Sequence, residues 1–190
     1  MAKLVSKVYG DALFSAVREG ASGSAQEKEC VKRLYEDILA LKQVFLENPD
    51  FLEILGHPDI PTEEKYGLLE RIFGGKLEEN LYGLLKLLIE KEHIGQVESV
   101  LDYVITLYKD YMGIGVVYVT TPMELDAAQK REIEEKILKT TEFKTLEMNY
   151  AVDPDIIGGI VIRIGDRVVD ASVATRLDKM TRQLKNIQIS

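Results

Sequence analysis

Three side chains in this chain are imidazoles or thiols, types that could ligate a metal, pass a proton or attack a substrate. His57 and His93 are its only histidines, and Cys30 is its only cysteine. An imidazole or a thiolate becomes a metal site or an acid–base pair only where further ligands converge on it. His57 precedes Pro58 in a loop and His93 falls between two helices, with no second histidine or cysteine beside either. Cys30 sits on the apolar side of a helix, where a free thiol behaves as a small hydrophobe. A nucleophilic role would need an adjacent base. Gly158-Gly159 has the composition of a phosphate loop but leads into a strand rather than a helix N-terminus, so the anion-binding geometry is absent. A bulge or a close backbone approach is the better reading. Arg176, Lys179, Arg182 and Lys185 form a basic ladder on the last helix, suited to the negative end of the helix dipole and read as a solvated face. The chain is therefore expected to have no catalytic site, no metal and no cofactor.

The totals narrow the class further. A formal charge of −8 argues against nucleic acid, whose affinity rests on Lys and Arg facing phosphates. It argues equally against free docking on anionic lipid. With 46% hydrophobic residues the chain can bury a core. A single cysteine fits a reducing compartment. The opening MAKLVSKVYGDALF has no apolar run of signal-peptide length. No stretch approaches the roughly 20 apolar residues of a membrane span, so no direct membrane insertion is expected and any membrane association runs through a partner.

Two halves with different periodicity must carry whatever the chain does. Residues 1–112 read as six amphipathic helices. In the first, Val5, Val8, Tyr9, Ala12, Leu13 and Ala16 recur at three- and four-residue spacing. Ser24 and Glu27 make a capping-box pattern opening the second, whose stripe is Val31, Leu34, Tyr35, Ile38, Leu41 and Phe45. Asn48-Pro49 starts a short third helix, and Thr62 is placed to cap a fourth, which Gly74-Gly75 ends. The fifth and sixth span about 77–91 and 96–112. Short connections imply a compact bundle of antiparallel neighbours.

From residue 113 the pattern becomes β-α-β-β-β-α, giving an α+β chain with a small α/β C-terminal domain, 113–190. Ile114 to Val119 alternates as a strand. Asp126 and Gln129 cap a helix to about Thr140, and Leu146, Met148, Tyr150 and Val152 mark a second strand. Ile160 to Ile164 returns through a Gly165-Asp166 turn to Arg167–Asp170. Ser172 caps the last helix, with Val173, Leu177, Met180 and Leu184 on one face. A domain this small is expected to lean on a neighbour or partner.

The feature that no scaffold role absorbs is the first helix. Tyr9, Leu13 and the nearby Phe14 give it more apolar surface than one bundle needs, and a surplus stripe of this kind receives a partner helix.

These residues also carry a family likeness over nearly the whole chain. VYGDALFSAVREG, through Tyr9, Ala12, Leu13 and Phe14, resembles the opening of the delta subunits of bacterial and chloroplast F-type ATP synthases, homologues of the mitochondrial oligomycin-sensitivity-conferring protein. Asn80, Leu81, Leu84, Leu85 and Glu90 are similar to that family's middle stretch. Gly158, Gly159, Arg163, Gly165, Asp166, Asp170, Ser172, Val173 and Leu177 follow its C-terminal signature. One departure is Gly10, where the family more often has alanine. Glycine weakens a helix interior or allows a closer approach.

The resemblance implies a six-helix N-terminal domain, 1–112, that binds the N-terminal helix of the alpha subunits on the catalytic head. It implies a C-terminal domain, 113–190, that holds the C-terminal end of the stalk's b subunits. The role implied is a non-catalytic stator subunit at the cytoplasmic face of the bacterial cell membrane, held there through the ATP synthase complex. Together with the apolar stripe it points to Tyr9, Ala12, Leu13, Leu81 and Leu84 as the head contact, in a groove between the first and fifth helices.

Overall fold

A computed structural model describes residues 2–21 and 23–187 of the chain. It divides into two compact units, Met1–Tyr108 and Lys109–Ser190. The dividing line falls in the last turns of a helix that runs on to Met112.

The first unit is helical: α1 (Ala2–Glu19), α2 (Ser24–Glu47), α3 (Pro49–Gly56), α4 (Thr62–Phe73), α5 (Glu79–Glu90) and α6 (Val97–Met112), with a single 3₁₀ turn at Ile94–Gln96 before α6. Its core follows the apolar periodicity of the sequence. Val31, Leu34, Ile38, Leu41 and Phe45 of α2 are buried, as are Leu55, Leu69, Phe73, Leu81, Leu85, Leu88, Leu101 and Val104. Tyr35 stacks flat on Tyr108, ring centroids 4.1 Å apart. Tyr82 of α5 donates to Glu70 of α4. Desolvation, then that bond and the neighbouring charge, push its phenol up to about 12.

Two helix starts differ from the sequence reading by one residue. Ser24 does not cap α2: it is the first helical residue, and the cap is Gly23 at φ +135° with no side-chain bond. Glu27, the other half of the expected capping box, is instead 2.5 Å from the Arg18 guanidinium. Thr62 likewise does not cap α4. The carbonyl of Pro61 takes the amides of Glu64 and Lys65 at 3.1 and 3.2 Å, leaving a hydroxyl cap nothing to satisfy there.

The face of α1 also differs. Its buried positions are Ser6, Gly10, Leu13, Phe14 and Val17, while Val8, Ala12 and Ala16 of the expected stripe are exposed and Val5 and Tyr9 half-buried. A methyl group on Gly10 would stand 2.4 Å from the Tyr103 ring, and Tyr103 donates to the Asp11 carboxylate at 2.9 Å. This contact with α6 fixes the rotation of α1.

In the second unit, β1 (Ile114–Thr121), α7 (Ala127–Thr140), β2 (Thr145–Val152), β3 (Val161–Ile164), β4 (Arg167–Asp170) and α8 (Val173–Ile187) follow in order, making the chain α+β. The sheet order is β2-β1-β3-β4. The β1–β2 pair is parallel and the other two pairs are antiparallel. Val117 and Val119 are buried with Ile137 of α7, and Leu146, Met148, Ile162 and Ile164 pack around them. Asp126 and Gln129 form a complete capping box on α7. The side chains of Leu184 and Lys185, which complete the expected stripe and ladder of α8, lie outside the described residues.

The glycine-rich signature is local scaffold in its contacts. Gly159, at φ +82°, lies so close to the β4–α8 connection that a Cβ there would be 2.3 Å from the Ala171 carbonyl oxygen. Gly165 takes φ +55° at the first of two turn positions between β3 and β4, where a type II′ turn places glycine. The Arg163 guanidinium donates to the Gly165 carbonyl at 3.3 Å, while Asp166 fills the second turn position. Asp170 and Ser172 together cap α8. Asp170 accepts from the Ser172 amide and the Thr175 hydroxyl, and the Ser172 hydroxyl accepts from the Thr175 amide. The Thr175 and Ser172 bonds hold the Asp170 carboxyl below the usual aspartate range.

Candidate functional site

The apolar surface that α1 does not use in the core borders a cavity of about 160 Å³ against α5. From α1 it is lined by Tyr9, Ala12, Leu13 and Ala16, and from α5 by Asn80, Gly83, Leu84 and Leu87. The two helices run antiparallel. The Tyr9 hydroxyl lies 3.2 Å from His93 Nδ1, just beyond the end of α5. At the other end Val17 and Gly20 share a second cavity with residues 77–80 at the start of α5. At 1.5 Å per residue, Tyr9 to Ala16 spans about 10 Å, or two turns of a docked helix.

The walls suit a helix. Ala12, Ala16 and Gly83 keep the floor shallow, so a partner backbone can approach closely. Leu87 and Val8 stand partly or largely exposed near one end. Tyr9 meets His93 edge-on at 6.0 Å, which orients a large ring with a polar tip at the groove's end, a common anchor type at interfaces.

Of the residues singled out in the sequence, Tyr9, Ala12, Leu13 and Leu84 are brought together on this groove. Leu81 is not: it is 0% exposed, part of the core beneath. An i,i+3 step separates a groove position such as Asn80 from the next, Gly83, so Leu81 turns inward. Ala16, Gly83 and Leu87 also line the groove and were not named from the sequence. The spacing of Asn80, Gly83 and Leu87 on one face of α5 was the available signal, but a glycine carries no apolar weight in a periodicity count.

The residues that could do chemistry stay apart. His93 is engaged with Tyr9, and the Asp59 amide donates to His57 within their shared loop. Cys30 lines the second cavity, of about 400 Å³, with Arg33, Glu78 and Glu79. Among the described residues no group of three or more His, Cys, Asp or Glu side chains could hold a metal ion. Nor is any described helix long and apolar enough to cross a membrane.

Residues 5–184 match the family model described as ATP synthase delta (OSCP) subunit. The chain is 40% identical over 189 residues to an ATP synthase subunit delta of Lachnoclostridium phytofermentans, covering 100% of both chains. It is 32% identical to the subunit of the same name from Prochlorococcus marinus subsp. pastoris, over 93% of each. The fold is similar to that of a chain in the mitochondrial ATP synthase hexamer of Toxoplasma gondii, with a TM-score of 0.66 at 19% identity, covering 94% of this chain and 96% of that one.

Proposed function

We propose that this chain, which belongs to the ATP synthase delta (OSCP) subunit family, joins the catalytic head to the peripheral stalk by one grip in each of its two units. Members of the family are non-catalytic stator subunits of the F-type ATP synthase, and the chain associates peripherally with that complex. In this reading α1–α6 act as a single six-helix bundle whose α1–α5 groove seats the amphipathic N-terminal helix of an alpha subunit. The unit from residue 113 onward holds the C-terminal end of the b subunits. The assembly then sits at the cytoplasmic face of the cell membrane.

The observation that carries the head contact is the apolar groove itself: α1 lays Gly10 against Tyr103 of α6 and leaves Tyr9, Ala12 and Ala16 lining the groove beside Gly83 and Leu87. A stator transmits load and performs no chemistry, so it needs contacts that persist. Each charge crossing 100 mV releases about 2.3 kcal/mol, and several charges per catalytic step set an energy scale of order 10 kcal/mol. A micromolar contact is worth about 8 kcal/mol and a nanomolar one about 12. Binding free energy and torque are different quantities, but the scale favours several contacts acting together.

The test is calorimetry of the full chain with an alpha-subunit N-terminal peptide. Tyr9→Asp is expected to cost at least ~2 kcal/mol of binding with an unchanged melting profile. Unchanged affinity would remove the groove from the account.

A further inference from the structure

At one end of the α1–α5 groove a hydrogen bond joins its aromatic anchor to an imidazole. Tyr9 lines the groove and His93 stands behind it, outside the lining. The Tyr9 hydroxyl is 3.2 Å from His93 Nδ1, and the two half-buried rings meet edge-on. The imidazole stands on a fixed piece of backbone. The His93 amide donates to the Leu88 carbonyl at 2.8 Å, and the His93 carbonyl accepts the Gln96 amide at 2.9 Å. Glu92, just before it, takes φ +58°, a conformation uncommon outside glycine.

Imidazole is the side chain that gains or loses its charge near neutral pH. A neutral ring protonated at Nε2 presents a lone pair at Nδ1, to which the Tyr9 hydroxyl donates. A cationic ring carries a proton on both nitrogens. The Tyr9 oxygen must then accept, and its own hydrogen turns elsewhere. The neighbouring groove wall is Ala12, Leu13, Leu84 and Leu87, with Asn80 at the far end. Water satisfies that hydrogen while the groove is open. A docked apolar helix face excludes the water and leaves a buried donor unpaired, which is costly.

The charges around the turn do not reverse this sign. On α1 the residues one turn either side of Tyr9, which are Val5, Ser6, Ala12 and Leu13, carry none. Lys91, paired with Glu90 at 3.0 Å, is near enough to act on Tyr9 and on Tyr66 of α4. Glu92 and Glu98 flank His93 along the chain, and Glu53 lies on α3 one turn before Gly56, which adjoins Ile94. All five charged groups are exposed, so solvent and salt screen them. The carbonyl end of α5 favours a cation, but it does so whether the groove is empty or filled.

We propose that, with a helix seated in the groove as read above, His93 is a positioning residue that makes the grip pH-sensitive. Neutral, it holds the Tyr9 ring ready for the helix. Protonated, it turns the Tyr9 hydroxyl hydrogen into the seat. Ordering one such side chain in advance is worth roughly three- to tenfold in affinity.

The experiment is calorimetry of the full-length chain with an alpha N-terminal peptide across about pH 5.5 to 8, where imidazole titrates. The wild type should bind at least about threefold more weakly at the acid end, releasing protons on binding there, as read in buffers of different ionisation enthalpy. His93→Phe keeps a ring without an acceptor. It should bind about threefold more weakly than the wild type at the alkaline end, with a flat profile. His93→Asn keeps an acceptor near the place of Nδ1 and should recover that loss, again with a flat profile. His57→Asn removes the other imidazole and should keep the wild-type profile. A flat wild-type profile, or a pH dependence that His93→Asn retains, would overturn the role of His93. The groove reading survives that result if Tyr9→Asp still weakens binding. Wild-type affinity in Tyr9→Asp would overturn the groove and the role of His93 together.

Discussion

Gly10 of α1 lies against Tyr103 of α6 so closely that a methyl group on its α-carbon would stand 2.4 Å from the ring. Glycine here admits the ring, and the Tyr103–Asp11 hydrogen bond locks the pair. The rotation this imposes on α1 turns Tyr9, Ala12 and Ala16 away from the core and into the groove.

Gly10→Ala should therefore lower the melting temperature, although alanine is the better helix former by about 1 kcal/mol. Combining it with Tyr103→Ala should recover much of the loss relative to Tyr103→Ala alone, a coupling that a double-mutant cycle reads directly. Additive effects would mean that the two residues do not share one contact.

Gly83 makes the opposite case. A Cβ at this position meets nothing within 4 Å, and the position faces the groove. Gly83→Leu should raise helix stability by up to about 1 kcal/mol while filling the seat. The expected pattern is a higher melting temperature with at least tenfold weaker binding of an alpha N-terminal peptide. A stabilised variant with wild-type affinity would place the peptide elsewhere.

The two signature glycines should differ in severity. At Gly159 both the positive φ and the Ala171 carbonyl exclude a side chain, whereas at Gly165 only the φ does. Gly159→Ala should destabilise the second unit more than Gly165→Ala, with the helical unit intact in both. Chemical denaturation followed by a probe in each unit compares them. Equal losses would show that the close approach at Gly159 relaxes.

Asp170 links pH to the start of α8. Its folded-state pKa is lowered by the Thr175 and Ser172 hydrogen bonds, so its contribution is present above the ordinary aspartate range and lost as pH falls through the lowered value. Asp170→Ala should melt below the wild type at neutral pH, with the difference shrinking toward zero in acid. A gap that persists in strong acid would assign the effect to packing.

What could be read in the sequence was what local chemistry decides. The Asp126–Gln129 capping box needs only four neighbouring residues, and the α2 stripe from Val31 to Phe45 needs only period. Ser24 and Thr62 were misplaced as caps because the backbone carbonyls of Gly23 and Pro61 accept the first-turn amides that their hydroxyls would have satisfied. The face of α1 was not legible, because that helix is apolar around much of its circumference. Periodicity cannot choose between two apolar arcs, and the choice is made by Tyr103, far along the chain. For the same reason Tyr9, Ala12, Leu13 and Leu84 could be named from pattern and likeness, while Gly83 could not.

The central claim is that one covalent chain couples head to stalk through two separate grips. Its most direct test supplies delta-depleted membranes with either the intact chain or residues 1–112 and 113–190 as unlinked polypeptides. The account predicts that each half binds its own partner while proton-driven ATP synthesis stays at the depleted level, restored only by the intact chain. Full recovery of synthesis with the unlinked halves would contradict it.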